Sequence, residues 1–255
     1  MMQTESENAL WEALAGDWDA RMGLEGNRFH RELIRPATLR LLEPQPGERI
    51  LDAACGNGLF AGCLAALGAQ VAAFDYSPQM IARAKERWAQ YLDRIQFSVA
   101  DATDFTQVTA LGGGVPFDKA VSNMAVMDIS DIAPLLRAVY AMLKPGGVFV
   151  FSAEHPCFRT PGNGFTEDGK GLLTYSYIEP QYHAPQALAD NEKRVHHWHR
   201  PLRQLLGICF EAGFALDGLE EPVFAHDGKE EGRFGWYDIP AVIVFRVRKI
   251  AKKGE

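Results

Sequence analysis

Cysteine is scarce in this 255-residue chain, with only Cys55, Cys63, Cys157 and Cys209. None stands at Cys-x-x-Cys spacing, and four thiols in a chain of this length are far from the density of a disulfide-stapled domain. Free thiols in a reducing compartment are therefore expected. Long apolar runs are also missing. No stretch approaches the roughly 18 residues of a membrane span. The opening residues, MMQTESENALWEALAG, are acidic and polar where a secretory leader is basic and then apolar. Together these absences point to a cytoplasmic protein with no membrane partner. Positive charge is in the minority: 26 Lys and Arg stand against 33 Asp and Glu, a formal charge of −7. An acidic surface repels phosphate backbones, which argues against a nucleic-acid partner. The one basic run, Arg246 to Lys253, reads as a last strand and a solvated tail. Internal repeats and low-complexity tracts are absent.

What remains is ordinary globular composition, 47% hydrophobic and 23% charged, in a length that suits one domain. Residues 1–45 read as a helical cap, since Leu10, Trp11, Leu14 and Trp18 recur at helical spacing. Pro44, Pro46 and Gly47 then break the pattern. Over 46–153 short apolar strands alternate with helices. RILDAA, AQVAAFD, RIQFSVAD, FDKAVSNMAV and VFVFSA are the strands. The helices include LFAGCLAALG, a segment from Ser77 (N-cap) and Pro78 through Leu92, and SDIAPLLRAVYAM. Such alternation means a parallel sheet covered on both faces. Residues 154–200 lose the rhythm and read as a long irregular lid or substrate insertion. Residues 201–250 supply one more helix and two strands, FALDGLEEPVF and AVIVFRVRK. Their connection is too short for a helical crossover, so they pair antiparallel. The fold class is α/β: a doubly wound, Rossmann-like, seven-stranded sheet, mostly parallel with an antiparallel last strand, in a single domain over 1–255.

The most informative stretch is ILDAACGNGLF, residues 50–60. Gly56 and Gly58 allow a tight turn with backbone laid directly against a ligand. Gly56 to Ala61 fits G-x-G-x-x-[G/A], and Asp75 follows at about the distance of a ribose-binding acid. That pattern serves a nicotinamide enzyme or any other adenosine ligand. Asp52, four residues before Gly56, favours a cationic ligand over a pyrophosphate, which wants only N–H donors. Asp101, ending the third strand, can accept from an exocyclic amino group. A nicotinamide oxidoreductase would begin its sheet nearer the N-terminus. It and a non-catalytic cofactor-binding protein remain the alternatives.

At ILDAACGNG, VAAFDYSPQMIARAK, VADATDF, NMAVMDI and LKPGGVFVFS the sequence resembles the class I S-adenosylmethionine-dependent methyltransferases. The resemblance covers 49–153 in the family's order and extends to about 247. It implies S-adenosylmethionine as cofactor and a small-molecule acceptor methylated at O or N by in-line displacement. It implies that the loop from Asp52 through Ala54 and Gly56 to Gly58 cradles the methionine part. Asp75 would bind both ribose hydroxyls, with Tyr76 flanking the adenine and Met80 in the same motif. Asp101 and the Ala102 backbone would read adenine, and Asn123 with Met124 would line the floor beside the sulfonium. Ala54 departs from the family, which carries glycine there; the extra methyl predicts a slightly displaced cofactor tail. Trp18 and Arg21 on the N-terminal helix would close the cofactor site, Arg21 pairing with the ligand's carboxylate.

Methyl transfer from a sulfonium needs no metal. His196, His197 and His199 lack a carboxylate or cysteine at ligand spacing, so no metal is expected. Candidate catalytic groups are His155, just past the fifth strand, and His199. His30, His155, Tyr182 and His199 are the expected acceptor contacts, beneath a lid rich in aromatics. Monomer or homodimer is expected.

Overall fold

The computed structural model describes residues 7–185, 194–225 and 235–250. The solvated tail and part of the loop before the last strand lie outside the described residues. Helix α1 (Glu7–Met22) is followed by a five-residue π-helix, His30–Ile34, which runs into α2 (Arg35–Leu42). The alternating core comprises β1 (Arg49–Ala53), α3 (Leu59–Ala66), β2 (Gln70–Asp75), α4 (Pro78–Arg87), β3 (Ile95–Val99), α5 (Phe105–Ala110), β4 (Phe117–Asn123), α6 (Ala133–Met142) and β5 (Leu143–Glu154). Four short strands follow: β6 (Gly164–Phe165), β7 (Leu172–Leu173), β8 (Gln181–His183) and β9 (His197–His199). Then come α7 (Leu202–Glu211), β10 (Phe214–Glu220) and β11 (Val242–Lys249).

Seven strands form one sheet in the order β10-β11-β5-β4-β1-β2-β3. β1 to β5 pair in parallel, and β11 runs antiparallel to both β5 and β10. Alternation along each strand sends side chains to two different layers. Phe149, Phe151, Phe245 and Val247 pack with α6 and α7, whereas Val150 and Val244 join α2 and α3 on the other face. The doubly wound sheet and its antiparallel strand are as expected.

Two local expectations are corrected. The helix beginning at Pro78 ends at Arg87 instead of running to Leu92, and a 3-10 turn, Ala89–Tyr91, follows. Trp88 leaves the helix, lies against Gly62, and donates its indole N–H to Asn57 O at 3.3 Å. The lid is also not structureless. β6 pairs with β7 and β8 with β9, each antiparallel. Helix α5 was not anticipated; Asp104 caps it, accepting from Thr106 N and Gln107 N at 2.8 and 3.0 Å.

β1 sits between β2 and β4, so the connection after β1 runs to one side of it and the connection after β3 returns to the other. Ligands of open α/β sheets bind beyond the strand ends at such a point.

Candidate functional site

The chain leaves β1 into a turn in which alternate residues take left-handed backbone: Ala54 φ 53°, Gly56 φ 54°, Gly58 φ 72°. At Gly58 a Cβ would come within 2.8 Å of the Phe97 ring, so glycine is required for packing as well as for φ. At Gly56 a Cβ would meet nothing within 4 Å, so that side of the loop is an open cradle. Ala54 adopts the conformation that suits the family's glycine, at a cost of roughly 1–2 kcal/mol for an L-residue. Replacing it with glycine relieves that strain, partly offset by glycine's larger unfolded-state entropy. Ala54→Gly should therefore stabilise the protein by about 0.5–1 kcal/mol, seen as a higher urea midpoint. A lower midpoint would show that the alanine methyl contributes packing that outweighs the strain.

Two carboxylates flank the turn. Asp75, ending β2, accepts from Gly56 N at 2.9 Å on one oxygen and from Ser77 N at 3.0 Å on the other. Burial pushes its pKa up to about 6 against those two N–H donors, with Asp128 and Glu12 adding repulsion. Each oxygen keeps a lone pair that a ribose hydroxyl could use. Asp52 is 1% exposed, and its Oδ2 has no hydrogen-bond partner among the described residues. Burial and then the Asp75 charge push its pKa up to about 8, opposed by the Ala61 backbone N–H. A buried carboxyl oxygen with no donor, beside an open cradle, fits a ligand that brings a cationic amino group. The donor set of the turn thus fits S-adenosylmethionine.

The remaining expected cofactor contacts fall around this centre. Tyr76 is half-buried next to Asp75, and Met80 is buried in the first turn of α4, its N–H on the Ser77 cap. Asp101 accepts from Thr103 N and Thr103 Oγ1, both 2.8 Å, and Ala102 is buried beside it. Asn123 Oδ1 accepts from Thr38 Oγ1 (2.8 Å) and Ser152 Oγ (3.1 Å). Its Nδ2 is buried and has no partner among the described residues. Met124, at φ 53°, packs with Leu33, Ile34, Phe224 and Val242, so its side chain belongs to the cap's core.

Helix α1 lies over the turn, but not through the residues expected. Trp18 packs edge-on against Trp11 at 5.3 Å and against Leu14 and Val195. Arg21 stands exposed, about 200° around the helix from Asp19. It is Asp19 that reaches the site. It accepts from Asn57 Nδ2 at 3.0 Å and pairs with Arg87 at 2.6 Å and Arg83 at 3.5 Å. Glu12 accepts from the hydroxyl of Ser77, the N-cap of α4. Sequence spacing carried no signal for Asp19 or Glu12, because their partners lie far along the chain.

The lid brings a different group of residues together. A small cleft, partly open to solvent, lies beside the C-terminal ends of β4 and β5. Val126 and Met127, Glu154, Arg159, His183 and the run His197 to Arg200 line it. β9 docks there: Trp198 N donates to Met127 O at 2.7 Å, and the buried Arg200 donates to Val126 O, Ile129 O and Ser130 O. His197 Nε2 lies 2.9 Å from Asp128 Oδ1, and Arg159 Nη2 is 2.8 Å from Glu154 Oε1. Burial opposes charge on His197, but Asp128 and Glu154 together raise its pKa to about 10. Burial likewise opposes charge on Glu154, yet His197 and Arg159 hold it down at about 2.

Three expected acceptor contacts lie elsewhere and are corrected. His155 is buried with both ring nitrogens engaged. Nδ1 accepts from Cys157 N at 3.2 Å and Nε2 is 2.7 Å from Glu221 Oε1, so no lone pair is left for a proton from an acceptor. Burial also lowers its pKa, against the pull of Glu221. His30 is locked in the π-helix against Gly26, its pKa driven down to about 4 by burial and then by Arg35. Tyr182 is 48% exposed and packs edge-on against His196 and tilted against Trp198. Strand alternation explains that miss: His183, His197 and His199 line the cavity, and Tyr182 is not among its lining residues. His199 does line the cavity. Its Nε2 donates to Tyr177 O at 2.8 Å, which leaves Nδ1 as the lone-pair nitrogen.

A Tyr-x-x-x-Lys spacing occurs at Tyr140 and Lys144, where an oxidoreductase pair could be sought. It lies at the opposite end of the strands from the turn after β1. Tyr140 donates to Ile250 O, and Lys144 pairs with Asp118 near the start of β4.

Comparisons with known proteins agree with this geometry. Residues 50–147 match the family model described as a methyltransferase domain. The chain is 37% identical over 130 residues to a demethylmenaquinone methyltransferase of Clavibacter sepedonicus, covering 51% of this chain and 49% of that protein. It is 33% identical over 148 residues to a ubiquinone biosynthesis O-methyltransferase of Xanthomonas campestris pv. campestris, covering 56% and 57%. The chain thus spans about half the length of the curated relatives it matches. Among solved structures, an S-adenosylmethionine-dependent methyltransferase from Mesorhizobium loti superposes with TM-score 0.70 at 29% identity, over 89% of this chain and 100% of that one.

Proposed function

We propose that this chain, like the proteins it resembles, is a class I S-adenosylmethionine-dependent methyltransferase, and that it methylates an oxygen or nitrogen atom of a small organic molecule. The observation that carries the reading is the turn after β1, with its open cradle at Gly56 and the unpartnered Asp52 oxygen beside it. When bound, S-adenosylmethionine supplies a methyl group already activated on a sulfonium. Asp52 holds the ligand's amino group, Asp75 the ribose, and Asp101 with Ala102 the adenine. Asn123 offers its unpartnered Nδ2 beneath. Tyr76 and Met80 flank the base, and α1 closes over the site through Asp19.

The chain's contribution to rate is then positioning. Aligning acceptor and methyl group at near-attack distance can supply about 7–11 kcal/mol of the barrier. The described lid residues, 154–185 and 194–200, cover the acceptor, with His199 Nδ1 available where a proton must be taken up. The same reading takes the chain as one catalytic unit, cytoplasmic, monomeric or homodimeric, with neither nucleic acid nor membrane as partner. Among the described residues no helix is long and apolar enough to cross a membrane.

Melting the protein with each candidate ligand tests the reading. S-adenosylhomocysteine at 100 times its dissociation constant should add roughly 2.7 kcal/mol of stability. A shift with NADH and none with S-adenosylhomocysteine would overturn it.

A further inference from the structure

Buried polar atoms almost always find partners, so one left without any marks a place where something else binds. Two such atoms stand on one face of the sheet, at the C-terminal ends of neighbouring strands: Asp52 Oδ2 on β1 and Asn123 Nδ2 on β4. Neither has a hydrogen-bond partner among the described residues. Asp52, once ionised, can only accept, and an amide nitrogen can only donate.

Strand alternation brings the two together. Ile50, Val121 and Val150 all join the layer shared with α2 and α3, and Asp52, Asn123 and Ser152 each follow two residues later on the same face. Asp52 lies opposite Val121 in the parallel pairing, and Asn123 lies opposite Ser152. Asn123 is therefore one strand over from Asp52, about 4.8 Å across, and about 6.6 Å further along.

The Asn123 amide is held one way round. Its Oδ1 accepts from Thr38 Oγ1 of α2 at 2.8 Å and from Ser152 Oγ at 3.1 Å. Ser152 Oγ itself accepts from Met124 N at 3.0 Å, so its own hydrogen is directed to Asn123. Both hydroxyl residues are fully buried. The amide oxygen thus has both lone pairs engaged, and the two N–H groups are what the side chain offers a ligand.

We propose that Asn123 Nδ2 receives the α-carboxylate of the cofactor's methionine part while Asp52 holds its ammonium group, with Thr38 and Ser152 as positioning residues. The inference rests on the methyltransferase reading and names a carboxylate partner within that cofactor site. An α-amino acid presents an anion and a cation on adjoining atoms. A fixed donor and a fixed acceptor on adjacent strands complement that pair. Arg21, the partner expected for the carboxylate, stands exposed on α1, away from the side that Asp19 turns to the cofactor loop. A neutral amide also does what an arginine could not: it binds the carboxylate through charge-assisted N–H bonds without setting a second cation near the sulfonium.

Calorimetry on the full chain tests this with two ligands, S-adenosylhomocysteine and its decarboxylated analogue, which keeps the amine and the thioether. Wild type should bind S-adenosylhomocysteine about tenfold or more tightly than the analogue. Asn123→Leu keeps the volume and removes the donors. It should weaken S-adenosylhomocysteine about tenfold or more and leave the analogue unchanged, so that the preference disappears. Thr38→Val keeps its shape and frees one side of the amide. It should cut the preference about threefold, and it decides the matter if Asn123→Leu fails to fold. Equal binding of the two ligands by wild type, variants that weaken both ligands alike, or variants that keep the wild-type preference would each overturn the seat, leaving the amide a structural post. Wild type binding neither ligand would instead strike the methyltransferase reading, and the seat with it.

Discussion

Asp52→Asn should lower S-adenosylhomocysteine affinity by about ten- to a hundredfold and yet make the ligand-free protein more stable at alkaline pH. The first effect is the loss of a charge-assisted hydrogen bond, about 1.5–3 kcal/mol. The second follows from linkage. Burial and Asp75 raise the folded-state pKa of Asp52 to about 8, whereas the unfolded chain titrates in the ordinary carboxylate range. Between those values the folded state holds a proton that the unfolded state has lost. The contribution to stability is therefore complete below the unfolded pKa and is lost as pH rises toward about 8. Asparagine does not ionise, so the variant should lack this part of the pH dependence and keep only that of groups such as Asp75. Even two units of the shift amount to about 3 kcal/mol, a difference that urea titrations at acidic and alkaline pH resolve easily. Binding of a cationic amino group should also expel the Asp52 proton from wild type, giving binding heats that depend on the buffer. Undiminished affinity in the variant would remove Asp52 from the cofactor site.

Asp19→Ala should cost about 2–4 kcal/mol of stability and loosen the cap at the same time. Its carboxylate is the meeting point of Arg87, Arg83 and the Asn57 amide, and its side chain and that of Arg87 are only 12% and 13% exposed. Removing one partner of a nearly buried pair leaves the other cation poorly solvated, which is where most of the cost arises. Proteolysis should then cut within α1 well before the sheet unfolds, and S-adenosylhomocysteine should slow that cut. Should the variant melt with wild type and resist protease equally, α1 is held by its apolar face alone.

The sheet and the cofactor turn were legible because each depends on short-range pattern. Runs such as Val71 to Asp75 and Phe149 to Ser152 declare buried strands, and two glycines after β1 declare a tight turn. The lid was not legible. Strands of two or three residues carry too few positions for a period to show, so the β8–β9 pairing could not be foreseen, and with it the face that His183 and His197 share. His155 looked catalytic from its place after β5, but one carboxylate across the lid boundary, Glu221, engages its ring. Asp19 was invisible for the same reason: its meaning lies in Asn57 and Arg87, brought near only by the tertiary fold. Ala54 was noticed as a departure in side chain, whereas its weight lies in its backbone, since φ 53° is the conformation that glycine adopts freely.

The position of β11 bears on how the chain assembles. β1, β2, β3 and β4 pair only with one another and with β5, so the cofactor half can organise while later residues are still being synthesised. β5 is different: one of its two neighbours, β11, begins only at Val242 and pairs back as far as Glu154. Until those last residues leave the ribosome, β5 carries a bare hydrogen-bonding edge, with Phe149 and Phe151 on a sheet face not yet covered by α7. The β5–β11 side of the sheet thus closes later than the β1 turn and is the more exposed to wrong pairing on the way.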